Sequence, residues 1–174
     1  PERVAQWKAE HPGSHLRIEV VIDGRADERC YSLVGLPQTS MEEGVYRIAV
    51  KRVERSRGGS RFMGTLTTGA RVRIGDPANH FELPLAAPQT LLVAGGIGIT
   101  PMLGMALSLA ERGDDLRMCF AARDEAELVY AERLRDALGE RLECFAGTRG
   151  ERLDLDAQIA QLAPQGQMLV CGPM

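Results

Sequence analysis

The amino-acid sequence points to a two-part molecule, an antiparallel β-barrel followed by a doubly wound parallel α/β sheet. Three observations carry that reading. Residues 14–75 hold short β-rich runs separated by turn residues. Residues 90–174 change period, alternating buried-strand runs with stretches of helical spacing. Between them "ELPLAAPQT", residues 82–90, interrupts both patterns with proline and alanine, which sets the domains at 1–84 and 90–174.

In the first part the runs "SHLRIEVVI", "RCYSLVG", "VYRIAVKRV" and "ARVRIG" are expected strands, divided by "DGRADE", "PQTSMEEG" and a glycine pair. That rhythm suits a small barrel or sandwich better than βαβ units. "RGGSRFM", residues 57–63, reads as a helix start with Ser60 near the N-cap. In the second part "TLLVAGG" reads as a buried strand and 100–112 as a helix. Pro101 falls in the first turn of that helix, where its missing N–H costs nothing. "LRMCFAAR" is the next strand, and "EAELVYAERLRDALG" has apolar residues at helical spacing. "RLECFAG", a short helix near 154–162 and "QMLVCGP" complete the alternation of a parallel sheet.

Composition narrows the function. The 174 residues are 44% hydrophobic and 26% charged with a net charge of −3, and both signs are mixed along the chain, so no basic footprint for nucleic acid is present. No apolar run approaches the ~20 residues of a membrane span, and no signal-peptide pattern opens the chain. Cys30, Cys119, Cys144 and Cys171 form no CxxC, and His11, His15 and His80 share no ligand spacing, so no metal site is expected. Dispersed thiols in apolar runs imply a reducing compartment, the cytoplasm.

Three stretches carry candidate chemistry. Gly95, Gly96 and Gly98 lie at the carboxyl end of a strand, just before a helix. Bare backbone there would let a phosphate reach the helix amino terminus, where free N–H groups and the dipole favour anions. The pattern is G-x-G-x-x-P rather than G-x-G-x-x-G, and a purely structural tight turn would use the same residues. In "RCYS", Arg29 and Tyr31 share one strand face, Cys30 and Ser32 the other. A guanidinium suits a phosphate, a tyrosine ring a planar heterocycle, and a hydroxyl a ring nitrogen, yet a half-exposed strand face has the same composition. "RGGSRFM" would supply a second amide-rich anion cup, or an ordinary turn.

Taken in order, Arg29-x-Tyr31-Ser32, "AVKR" at 49–52, "GGS" at 58–60, "GGIGITP" at 95–101 and "CGP" at 171–173 resemble the ferredoxin–NADP reductase superfamily. Within it, "YSLVG", "YRIAVKR", "RGGSRFM" and "VAGGIGITPML" are similar to the phthalate dioxygenase reductase and vanillate demethylase reductase group. The resemblance extends from Pro12 onward. It implies a flavin on the barrel, FMN rather than FAD, with Arg29 at its phosphate end and Tyr31 and Ser32 along the ring, Ser32 near the reactive nitrogen. Ala49, Val50 and Lys51 would border the ring through their backbone, and Gly58, Gly59 and Ser60 would cradle the phosphate. Thr100 would reach toward the flavin from the second domain. Gly96 and Gly98 would receive the dinucleotide pyrophosphate, Arg123 and Asp124 the ribose. Cys171, Gly172 and Pro173 would sit beside the nicotinamide, with Cys171 near the hydride path but not a nucleophile. Ser32, Thr100 and Cys171 are thus the residues expected nearest the chemistry.

The implied activity is NADH-dependent electron transfer through FMN to a [2Fe–2S] cluster and a Rieske-type oxygenase, by a monomer. NADH is expected over NADPH because Asp124, Glu125 and Glu127 flank Arg123 and would repel a further phosphate. No C-x₄-C-x₂-C run is present, so the resemblance places the cluster on a segment absent from this sequence. It also implies a break near residues 10–12 and a lost carboxyl-terminal part. Alternatives are a stand-alone NAD(P)H:flavin or flavodoxin-type reductase, and an electron-transfer flavoprotein subunit of another enzyme.

Overall fold

The computed structural model describes residues 12–35, 45–83 and 87–173. The expected break near 10–12, the "PQTSMEEG" turn and the middle of the 82–90 boundary lie wholly or partly outside them. The β half is built on a hairpin of β1 (His15–Ile22) and β2 (Arg25–Ser32), paired antiparallel from His15↔Ser32 to Ile22↔Arg25. β1 alternates cleanly, burying Leu16, Ile18 and Val20, which is what a half-buried strand requires. The turn is tighter than expected. Only Asp23 and Gly24 connect the strands, both at positive φ as a two-residue hairpin turn demands, so most of "DGRADE" is strand.

The remaining expected strands of this half do not form ladders. Residues 45–53 and 70–75 contribute the isolated bridges Leu33↔Ile48 and Ile18↔Ile74, and a closed barrel is not seen among the described residues. The physical reason lies in burial. Val53, Val72 and Ile74 are exposed, so beyond Tyr46 and Ile48 these runs bring little apolar surface to the core of this half. The short helix α1 (Gly59–Met63) begins at the second glycine of "RGG", with Gly58 at φ 97 as its N-cap rather than Ser60.

The second half is regular. Four parallel strands, β3 (Thr90–Gly95), β4 (Leu116–Ala122), β5 (Leu142–Ala146) and β6 (Gln167–Cys171), lie in the order β5-β4-β3-β6. Helix α2 (Ile99–Arg112) buries nearly its whole first three turns and ends on Gly113 in the left-handed conformation. Helix α3 (Ala131–Leu138) is shorter than the expected 125–139. A single 3₁₀ turn at Glu125–Glu127, capped by Asp124, precedes it, and Tyr130 at φ 67 breaks the helical path between them. Helix α4 (Leu155–Ala160) begins where expected, its N-cap Asp154 accepting from the Ala157 amide at 3.0 Å.

The main core gathers Phe120, Leu92, Met102, Leu103, Leu134 and their neighbours, and it extends into the β half through Val34 and Leu83. The two halves also meet backbone to backbone. A Cβ on Gly35 would lie 3.1 Å from the Gly104 Cα, and one on Gly104 would lie 3.3 Å from the Gly35 Cα.

Candidate active site

All four parallel strands end on one edge, and the strand order reverses between β3 and β6, with β4 and β5 on one side and β6 on the other. Ligands of open α/β sheets bind outside the carboxyl ends at such a reversal. Gly96 and Gly98 lead out of β3 there, and Cys171, Gly172 and Pro173 lead out of β6. The two exits touch. A Cβ on Gly98 would stand 2.0 Å from the Cys171 carbonyl oxygen, and one on Gly172 would stand 2.8 Å from the Gly95 Cα. The bare backbone of Gly98 is therefore taken up by its own neighbour strand. Gly96, at φ 50, would meet nothing within 4 Å if it carried a Cβ, and it is the position that opens outward. The structural reading of the glycines accounts for Gly98, while Gly96 leaves open the space that a ligand would need.

Thr100 is buried, and its hydroxyl donates to the Ile97 carbonyl at 3.0 Å, which steadies the turn into α2. Cys171 is half-buried, and burial pushes its thiol above the ordinary range, so the sulfur stays protonated at neutral pH. Asp124 spends its carboxylate on the Ala126 amide. The Arg123 carbonyl accepts from the Thr148 amide at 3.0 Å, tying the ends of β4 and β5 together.

In the β half the structure brings Arg29 onto the glycine pair. A Cβ on Gly59 would fall 2.8 Å from Arg29 Cγ, and Nη2 of Arg29 reaches the Arg57 carbonyl at 3.4 Å. Arg29 Nη1 also pairs with Asp27 at 2.6 Å, and that guanidinium holds the Asp27 carboxyl below the usual range. Tyr31 packs beside Leu16, Ile18 and Leu33, and burial raises its phenol. Ser32 stands opposite His15 in the hairpin register. Ser60 accepts from the Val53 amide at 3.3 Å, which draws the 45–53 segment to α1.

Between the halves lies a cleft of about 370 Å³, lined by Ala49, Val50 and Lys51 on one wall and Ile97, Ala126, Glu127, Val129 and Tyr130 on the other. Its size is within the roughly 300–1,000 Å³ of small-molecule sites. Lys51 Nζ bonds Glu127 Oε1 across it at 2.5 Å. The sequence singles out Ala49–Lys51 and the Ile97 turn but not Ala126, Val129 and Tyr130 of the opposite wall, which lie in a stretch of plain helical spacing. Nor does it single out Arg149, which holds Glu125 at 3.1 Å and Glu151 at 3.0 Å. The repulsion expected from Glu125 and Glu127 toward a second phosphate is offset, since each faces a cation.

The donor chemistry fits a phosphate-bearing flavin. Arg29 lies beside the first amides of α1, which a helix leaves without partners of its own. Its Nη1 is engaged by Asp27 and the Glu28 carbonyl, and its Nη2, 3.4 Å from the Arg57 carbonyl, is the donor nearest to hand for a phosphate. The cleft wall offers the apolar edge a planar ring needs, in Ala49, Val50, Ile97 and Val129.

Residues 92–174 match the family model described as an oxidoreductase NAD-binding domain. Over 92% of its length the chain is 39% identical to the heme-dependent oxidative N-demethylase beta subunit of Ectopseudomonas mendocina, of which it covers 50%. It is 37% identical to vanillate O-demethylase oxidoreductase of Pseudomonas putida, with the same 92% and 50% coverage. Among solved structures, phthalate dioxygenase reductase is 33% identical with a TM-score of 0.79, covering 94% of this chain and 50% of that one. In sequence and fold the chain is similar to the ferredoxin–NADP reductase superfamily. Residues 92–174 match the NAD-binding domain of an NAD(P)H-dependent oxidoreductase, and the chain spans about half the length of the curated relatives it matches. No helix among the described residues is long and apolar enough to cross a membrane.

Proposed function

We propose that the chain passes electrons from NADH, through FMN held by the β half, to a [2Fe–2S] cluster and onward to a Rieske-type oxygenase or demethylase. The observation that carries this reading is the shared cleft. The residues that the family resemblance sets against the flavin, Ala49, Val50 and Lys51, face the turn of Ile97, which it sets against the dinucleotide. A flavin, when bound, supplies a centre that takes two electrons as hydride and releases them singly.

The chain's own work in this scheme is placement, since no protein acid, base or nucleophile is required. Arg29 with Gly58, Gly59 and Ser60 would hold the flavin phosphate, and Tyr31 and Ser32 would line its ring. Gly96, with its open backbone, would admit the pyrophosphate at the α2 amino terminus. Cys171, Gly172 and Pro173 would flank the nicotinamide, with the protonated Cys171 thiol a neutral neighbour. Arg123 and Asp124 would meet the ribose. Four free thiols suit the cytoplasm, and a monomer suffices for this chemistry.

The resemblance to a heme-dependent demethylase subunit favours a second acceptor, a haem oxygenase in place of the Rieske partner. Rapid anaerobic mixing of the full-length protein with NADH is the test. Bleaching of a flavin band is expected, followed by reduction of an iron–sulfur chromophore. Colourless protein, or a flavin that NADH does not bleach, overturns the reading. Flavin without iron or acid-labile sulfide replaces it with a stand-alone flavin reductase.

A further inference from the structure

The wall of the cleft that belongs to the α/β half is an unusual piece of chain. Asp124 caps it, one 3₁₀ turn forms it, and Tyr130 closes it in a left-handed conformation that a bulky residue adopts at a cost. It is staked from both sides. Glu125 is held by Arg149 from the end of β5, and Glu127 is held by Lys51 from the β half. The Lys51–Glu127 pair thus joins the two halves. Both members line the cleft, and their side chains are 43% and 31% exposed.

A cation beside an anion-binding turn would ordinarily attract a dinucleotide. Here its charge is cancelled by the opposite wall, and the pair bridges the space a ligand must enter. We propose that Glu127 is a gate residue: its ion pair with Lys51 bars the cleft, and the nicotinamide dinucleotide must break that pair to enter. This rests on the functional reading above, in that the entering ligand is the dinucleotide. The device sets affinity by competition, because each binding event forfeits the worth of the pair. The pair is half-exposed and its strength accordingly modest.

Calorimetric titration of the full-length protein with NAD⁺ tests the gate without depending on turnover. E127Q keeps the side-chain shape and removes the charge, and it should bind NAD⁺ about two- to fivefold more tightly than the unaltered protein, the worth of a half-exposed ion pair. D114N, which loses its ion pair with Arg112 at the far end of α2, should bind as the unaltered protein does. The advantage of E127Q should shrink in high salt, where the bar is screened in the unaltered protein as well. Amide exchange across 125–130 should quicken in E127Q, showing that the wall has been released. Unchanged or weaker NAD⁺ binding by E127Q overturns the gate, since Glu127 would then belong to the binding surface. Absence of NAD⁺ binding in every variant overturns the dinucleotide reading and the gate with it, a different pattern from equal binding in all.

Discussion

The α/β half packs Phe120, Met118 and Leu134 against the inner face of α2, whereas the β half closes around Leu16, Ile18 and Leu33 with Tyr31, Tyr46, Ile48 and Met63 at its margin. Both halves carry periodic apolar residues, yet one becomes four paired strands and the other a hairpin with isolated bridges. The difference teaches that a hydrophobic period yields regular structure only where a second layer exists to receive it. The parallel strands are covered on one face by α2 and α3, and on the other by Leu153 and Leu162 flanking α4. Val53, Val72 and Ile74 find no such cover.

The sharpest way to break this contrast is Phe120→Ala. Removing a fully buried ring should cost about 3–5 kcal/mol and collapse the helical circular-dichroism signal at lower urea. Leu16→Ala should instead leave most of that signal in place while the β half loosens, so equal effects on the helical transition would erase the distinction. Next in size is Gly98→Ala, whose methyl would meet the Cys171 carbonyl 2.0 Å away. Backbone must move to admit it, and a loss of about 3 kcal/mol in urea unfolding is expected, at the upper end of overpacking. A loss below about 1 kcal/mol would show that the exits of β3 and β6 are looser than described.

Arg29→Ala probes the β half alone. Flavin retention should weaken by about 1.5–3 kcal/mol, the worth of hydrogen bonds to a charged group, with unfolding of the α/β half unchanged. Equilibrium dialysis against FMN reads this directly, and undiminished affinity would remove Arg29 from the phosphate site. The smallest effect concerns His15, whose ring pairs with His80 at 5.4 Å between centroids. Burial first, then the charges of His80 and Arg17, hold its pKa below the usual 6.5. A depressed folded pKa means the unfolded chain binds the proton more readily. Its contribution is therefore intact above 6.5 and is lost as pH falls toward and through the folded value. Urea midpoints of the β half should decline slightly between neutral pH and about pH 5.5, and His15→Asn should flatten that decline.

Much of the α/β half was legible because its signals are local. "TLLVAGG" followed by a helix start, and Asp154 ahead of α4, each put strand or helix chemistry within a few residues. The long expected helix failed at Leu128–Tyr130, where apolar spacing continues but the backbone turns left-handed to shape the cleft. Sites divided themselves in the same way. Arg29 and the 58–60 turn could be singled out as candidates because each has a recognisable pattern, whereas Glu127 meets Lys51 only through folding, 76 residues apart. Arg149 was invisible for the same reason, since nothing in "GTRGER" announces a partner 24 residues upstream.

The joint between Gly35 and Gly104 sets a hidden condition on exchanging modules among relatives. Each side must bring a bare α-carbon, because a methyl on either would have to wedge the halves apart by a few tenths of an ångström. A recombinant that honours every sequence motif but carries alanine at this joint would keep both modules folded and still hold them out of the alignment that the proposed electron transfer needs.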